Sequence, residues 1–230
     1  MESEQKGNKM SRTFNVEKNP YDIGNLYTNS KFTFEPGLTV LVGCNGCGKS
    51  TLLKTVKNQL EKNNVPVVYF DNLTQGGRAA REKQAFFGNV EFLATSLVSS
   101  EGENIVMNMG NTARLMGKLV RENPNAKELW FLLDAIDSGL SIDNIVDVKK
   151  YLFDTVFENN EDKDVYIVVS ANEYELCNGE KCMDTVSGKY ISFADYNEYR
   201  EFILNSKKLK DEREEAAKPP IRKRRGAHKD

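Results

Sequence analysis

Gly43-Cys44-Asn45-Gly46-Cys47-Gly48-Lys49-Ser50 is the stretch on which the reading of this chain turns. It fits G-x-x-x-x-G-K-[ST], and its flanks are those the chemistry requires. Leu38 to Val42, just before it, is a short run dominated by apolar residues, as in a strand buried in a parallel sheet. Just after it, Leu52, Leu53, Val56 and Leu60 mark one face of a helix. Glycines let a backbone wrap an anion with no side chain in the way. Amides at the start of the helix, helped by its dipole, then face the negative charge. Gly43, Cys44, Asn45, Gly46, Cys47, Gly48, Lys49, Ser50 and Thr51 are therefore expected to hold ATP. Lys49 is expected to reach the β- and γ-phosphates and to serve catalysis, and the Ser50 hydroxyl to ligate Mg²⁺.

Outward from this loop, the pattern alternates. Val65 to Phe70, Leu129 to Leu133 and Val165 to Val169 read as further buried strands. Ile105, Met109, Ala113, Met116 and Val120 fall at helical spacing, and Asn123-Pro124-Asn125 stops that helix. Ile145, Val148, Leu152 and Val156 mark another. Between Arg12 and Phe34, aromatic and β-branched residues alternate with polar ones, which predicts antiparallel strands closed by the Pro36-Gly37 turn. Together these features predict an α/β chain: a three-layer P-loop NTPase fold, its mostly parallel sheet flanked by helices, with an N-terminal antiparallel β portion.

Composition is that of an ordinary globular protein, 39% hydrophobic and 29% charged over 230 residues. No run approaches the roughly 18 apolar residues of a membrane-spanning helix, and the polar start MESEQKGNKM lacks the apolar core of a secretory signal. A cytoplasmic protein with no membrane partner is expected. Residues 1–11 read as a disordered leader, 12–205 as the nucleotide-binding domain, and 206–230 as a charged tail that frays after Lys210. Charge is uneven: residues 218–230 carry +5, leaving −7 for the rest. That basic end is a candidate for nucleic acid or an acidic protein, although no aromatics are interleaved for base stacking. Cys44 and Cys47 form a C-x-x-C inside the phosphate loop. Bridging or metallating them would disturb amides that must point at ligand oxygens, so small buried side chains are the expected role.

Magnesium chemistry on such a loop also needs an acid at a neighbouring strand tip, and Trp130-Phe131-Leu132-Leu133-Asp134 supplies one. GCNGCGKST followed by LLDAIDSGLSID resembles the ATP-binding-cassette branch of P-loop ATPases, including its DNA-maintenance relatives. SSEGENIVMNMG, WFLLDAIDSGLS and VYIVVSANEYEL also look like small soluble ATPase-like proteins of tailed bacteriophages, which would place the chain in an infected bacterial cytoplasm. The resemblance implies that Asp134 holds magnesium. It implies that Ser138, in Ser138-Gly139-Leu140-Ser141, meets a partner subunit. It also implies a signature at Ser99 to Asn104, before a helix starting near Ile105, whose Ser100 and Gly102 cap the ATP of the other copy in a homodimer. Gln75 falls where the family places a residue that senses magnesium and water.

Two positions depart from the family. Its water-polarising glutamate is here Ala135, with Asp137 the nearest substitute base, and its γ-phosphate histidine is replaced around Asn172, the sole histidine being His228. A slow ATPase that dimerises around ATP and a non-hydrolysing, nucleotide-gated interaction module both fit this pattern. A P-loop kinase shares only the first motif.

Overall fold

The strand patterns settle into one sheet because their apolar residues alternate between two faces. The computed structural model describes residues 10–17, 27–72 and 101–217, with the backbone alone over 101–109. Six strands form the main sheet: β3 (Gly37–Val42), β4 (Val67–Asp71), β5 (Glu128–Asp134), β6 (Asp164–Ser170), β7 (Cys182–Asp184) and β8 (Tyr190–Ile191). Their order is β4-β5-β6-β3-β7-β8, parallel throughout except for β8. A separate antiparallel pair, β1 (Arg12–Asn15) and β2 (Lys31–Phe34), accounts for the alternation at the N-terminal end.

Leu41, Trp130, Leu132, Tyr166 and Val168 feed one face, where Phe14, Phe32 and Phe34 of the β1–β2 pair cover them. Leu52, Leu53, Val56 and Leu60 of helix α1 (Lys49–Lys62) complete that layer. Trp130 is its centre: fully buried, stacked on Tyr166 at 3.9 Å, and edge-on to Phe14 at 5.2 Å. The alternate residues Val40, Val42, Phe131, Leu133, Ile167 and Val169 feed the other face. There they meet helix α2 (Glu101–Glu122), a helical run over 142–158, α5 (Tyr174–Cys177) and α6 (Tyr196–Ala216). Three layers result, as the sequence predicts.

The differences lie in detail. Among the described side chains of α2, Thr112 and Met116 are buried and Ala113 is exposed, so the inward face there runs through Thr112 and not Ala113. The run 142–158 comprises α3 (Ile142–Asp147), a π-helical stretch (Val148–Asp154) and α4 (Thr155–Glu158). Its wider turn brings Val148 and Phe153 to the core together, where an α-helical period selects Leu152. α2 is already helical at Glu101, ahead of the expected start near Ile105. The expected fraying after Lys210 is also corrected. α6 runs unbroken to Ala216, capped at its start by the Asp195 carboxylate accepting the Glu198 amide at 3.0 Å. No described helix is long and apolar enough to cross a membrane.

Candidate functional site

All parallel strands end at one edge, and the site is built on their tips. β3 delivers the loop, and β5, two places away across β6, delivers Asp134. Neighbouring strands lie about 4.8 Å apart, so the two axes are separated by about 10 Å. Asp134 is buried and held from both sides: Ser170 at the tip of β6 donates to Oδ1 at 2.6 Å, and the Tyr69 hydroxyl donates to Oδ2 at 3.1 Å. Burial, followed by the Asp134 and Asp71 charges, pushes the Tyr69 phenol well above its ordinary range, so it remains a donor.

The loop is shaped by its glycines and by what packs outside them. Gly48 sits at φ 111°, and a Cβ there would stand 2.7 Å from the Tyr27 hydroxyl oxygen. Tyr27 is buried beneath it and donates to the Gly48 carbonyl at 2.5 Å. Lys49 is also buried, its ammonium donating to the Gly43 carbonyl at 2.8 Å and reaching Cys44 O at 3.5 Å. Asn45, Gly46, Ser50 and Thr51 are exposed along the loop and the first turn of α1. Cys44 and Cys47 are buried free thiols packed with Val186, and the Cys47 amide closes a turn on Cys44 O at 3.1 Å. Burial raises the Cys47 thiol. A concave loop without bulky side chains, one lysine, an exposed serine hydroxyl and a fixed strand-end carboxylate fit a magnesium-bound polyphosphate.

Beyond β5 the backbone turns sharply. Ala135 adopts φ 52°, a left-handed conformation that costs a non-glycine residue about 1–2 kcal/mol. Its amide donates to Ser170 Oγ at 2.7 Å. Asn72 braces the turn by donating to Ala135 O at 3.1 Å and Ser138 O at 3.2 Å. Asp137 faces the turn after β6: Oδ2 accepts the amides of Asn172 at 2.6 Å and Glu173 at 2.8 Å. Its Oδ1 is buried with no hydrogen-bond partner among the described residues. Burial raises the Asp137 pKa against the pull of those two amides. Ser138 is half-buried within the turn, and Gly102 is part of α2. Gln75, Ser99, Ser100 and the basic run 218–230 lie outside the described residues.

Several contributors escape the sequence motifs. Tyr69 and Asp71 project from one strand at a spacing of two, and Asp71 pairs in register with Asp134. Their signal is only that β4 ends in polar residues beside an acid-tipped strand. Ser206 and Lys210 come from α6, a helix that the sequence divides at residue 206. The Cys44 amide donates to Ser206 Oγ at 3.2 Å, and the Lys210 ammonium donates to Asn45 O at 3.1 Å. Nothing local in the sequence links that helix to the loop.

A family profile of the AAA domain matches residues 32–169, from β2 to the end of β6. The chain belongs to the AAA domain family. As an AAA domain it is a nucleotide-binding P-loop ATPase of the class that uses ATP and Mg²⁺. The matched stretch contains the whole loop and Asp134, whereas α6 lies beyond it. Comparison with curated proteins gives no match.

Proposed function

We propose that this AAA domain binds ATP·Mg²⁺ on Gly43 to Thr51 and works as a cassette-type ATPase with slow turnover, closing into a homodimer around two nucleotides. The observation that carries this reading is the joint placement of loop and acid. Lys49 and Ser50 open α1, where the loop from β3 ends, and Asp134 is fixed by Ser170 and Tyr69 at the tip of the parallel strand β5. In this reading Lys49 steadies the β- and γ-phosphates, while Ser50 and Asp134, with Gln75, serve the magnesium ion. Ser100, Gly102 and Ser138 of each copy complete the site of the other. Turnover is slow because Ala135 brings no carboxylate to the attacking water. Asp137, the substitute base, already spends Oδ2 on two amides. The setting that suits this reading is a cytoplasm, bacterial if the gene is a phage's. The basic end of the chain would then meet nucleic acid or an acidic protein.

That same engagement of Asp137 favours a second reading, an ATP-gated switch that dimerises and recruits a partner with almost no hydrolysis. Size exclusion with and without ATP·Mg²⁺, and turnover of wild type, Lys49→Ala and Ala135→Glu, separate the two. Wild-type turnover lost in Lys49→Ala supports the ATPase. Turnover seen only in Ala135→Glu supports the switch. A single monomeric elution volume at saturating ATP·Mg²⁺ overturns the dimer in both.

A further inference from the structure

Helix α6 does more than cover the sheet: its middle lies against the phosphate loop. Ser206, buried, accepts the Cys44 amide, and one turn later Lys210 donates to the carbonyl of Asn45. The helix is therefore fastened to two consecutive residues of the loop. Gly46 follows at φ 77°, and a Cβ built there would stand 2.6 Å from the Lys210 ammonium nitrogen. Lys210 thus rests on the exposed crest, Asn45-Gly46, with its side chain only 23% exposed.

The loop itself brings no negative charge to meet these ammonium groups. Gly43 to Thr51 contains no acidic residue. Lys49 already places one ammonium on the carbonyls of Gly43 and Cys44, and Lys210 places a second on the next carbonyl along. Among the described residues Lys210 also pairs with Glu214, on its own helix, at 3.5 Å. An ammonium has three donors. Two cations gathered on one short loop repel each other, and an anion held in the loop relieves both at once. The loop amides and the dipole of α1 invite that same anion.

We propose that Lys210 is a second phosphate-binding cation, supplied by helix α6 of the same chain and contacting the polyphosphate of the bound nucleotide alongside Lys49. This rests on the reading above that the loop binds a nucleoside polyphosphate. It makes the 206–216 helical segment part of the site rather than an appended tail. Gly46 is then needed partly because a side chain there would displace the ammonium.

The test is calorimetric titration of the full chain with ATP·Mg²⁺, ADP·Mg²⁺ and inorganic tripolyphosphate, for wild type, Lys210→Met and Lys210→Arg. Lys210→Met is expected to weaken all three ligands by about tenfold, tripolyphosphate included, because the contact is to phosphate and not to base or sugar. Lys210→Arg is expected to stay within about threefold of wild type. The melting temperature of the nucleotide-free variants should match wild type within about 2 °C, since the Lys210 ion pair with Glu214 lies at the surface of one helix and adds little to stability. Affinities of Lys210→Met within twofold of wild type overturn the proposal. So does a loss that tracks a lowered melting temperature and is not rescued by arginine, because that marks a purely structural clasp. Absence of binding to the wild type would instead remove the nucleotide reading itself, and that result is distinct because it precedes any substitution.

Discussion

Asp71 stands directly opposite Asp134 in the parallel ladder of β4 and β5, so two carboxylates end adjacent strands on the same edge of the sheet. Asp134 is clamped by Ser170 and Tyr69. Asp134→Asn is expected to reduce the gain in ATP affinity on adding Mg²⁺ by about tenfold, or about 1.4 kcal/mol. Asp71→Asn should reduce it by about threefold or less, being one strand further from the loop. Nucleotide titrations in Mg²⁺ and in EDTA give both values, and equal losses in EDTA would show that the acids serve the fold, not the metal.

Asp137 sets a dependence on pH. Its folded pKa is raised by burial above the ordinary 3.8, so the folded chain holds its proton more tightly than the unfolded one. Its contribution to stability is fully present below about pH 4 and is lost as pH rises through the folded value. Wild type should therefore lose stability relative to Asp137→Asn as pH climbs from about 4, the asparagine keeping an oxygen acceptor for Asn172 and Glu173 without titrating. Urea unfolding across that range measures the difference, and parallel curves would count against it.

Tyr27→Phe keeps the ring under Gly48 but deletes its hydrogen bond to the Gly48 carbonyl. A loss of about 1 kcal/mol in unfolding free energy is expected. The affected carbonyl precedes Lys49, so nucleotide affinity should fall with it. A variant as stable as wild type in urea would show that the bond contributes nothing net.

Trp130→Ala should cost about 3–5 kcal/mol, because the ring is fully buried between Tyr166, Phe14 and Phe34. Its indole N–H also bonds Glu128 at 2.9 Å. Chemical denaturation measures the loss, and Trp130→Phe should recover more than half of it.

The loop and the sheet were legible because each rests on local pattern. Gly43 to Ser50 announces itself by spacing, and the runs ending at Val42, Asp134 and Val169 are apolar enough to be central strands. β7 and β8 are three and two residues long, too short to show any period in the sequence. Phe153 faces the core because a π-helical turn shifts the register, which an α-helical period cannot anticipate. Tyr69, Ser170 and Asn72 earn their roles only through strand order, and Ser206 and Lys210 through the packing of a helix more than 150 residues away in sequence. The acid-rich surface of α6, with Lys207 paired to Asp211 and Lys208 to Glu212, reads as a solvated run and hides the inward face.

The fastening of α6 to the phosphate loop has a bearing on biosynthesis. Chains leave the ribosome from the N-terminal end, and domains generally fold as they emerge. Residues 43–51 form the whole loop, yet its supports at Ser206 and Lys210 are translated some 155 residues later. A nascent chain thus carries an unfinished cradle until α6 has been made, and capture of the nucleotide becomes an event that reports the docking of that helix.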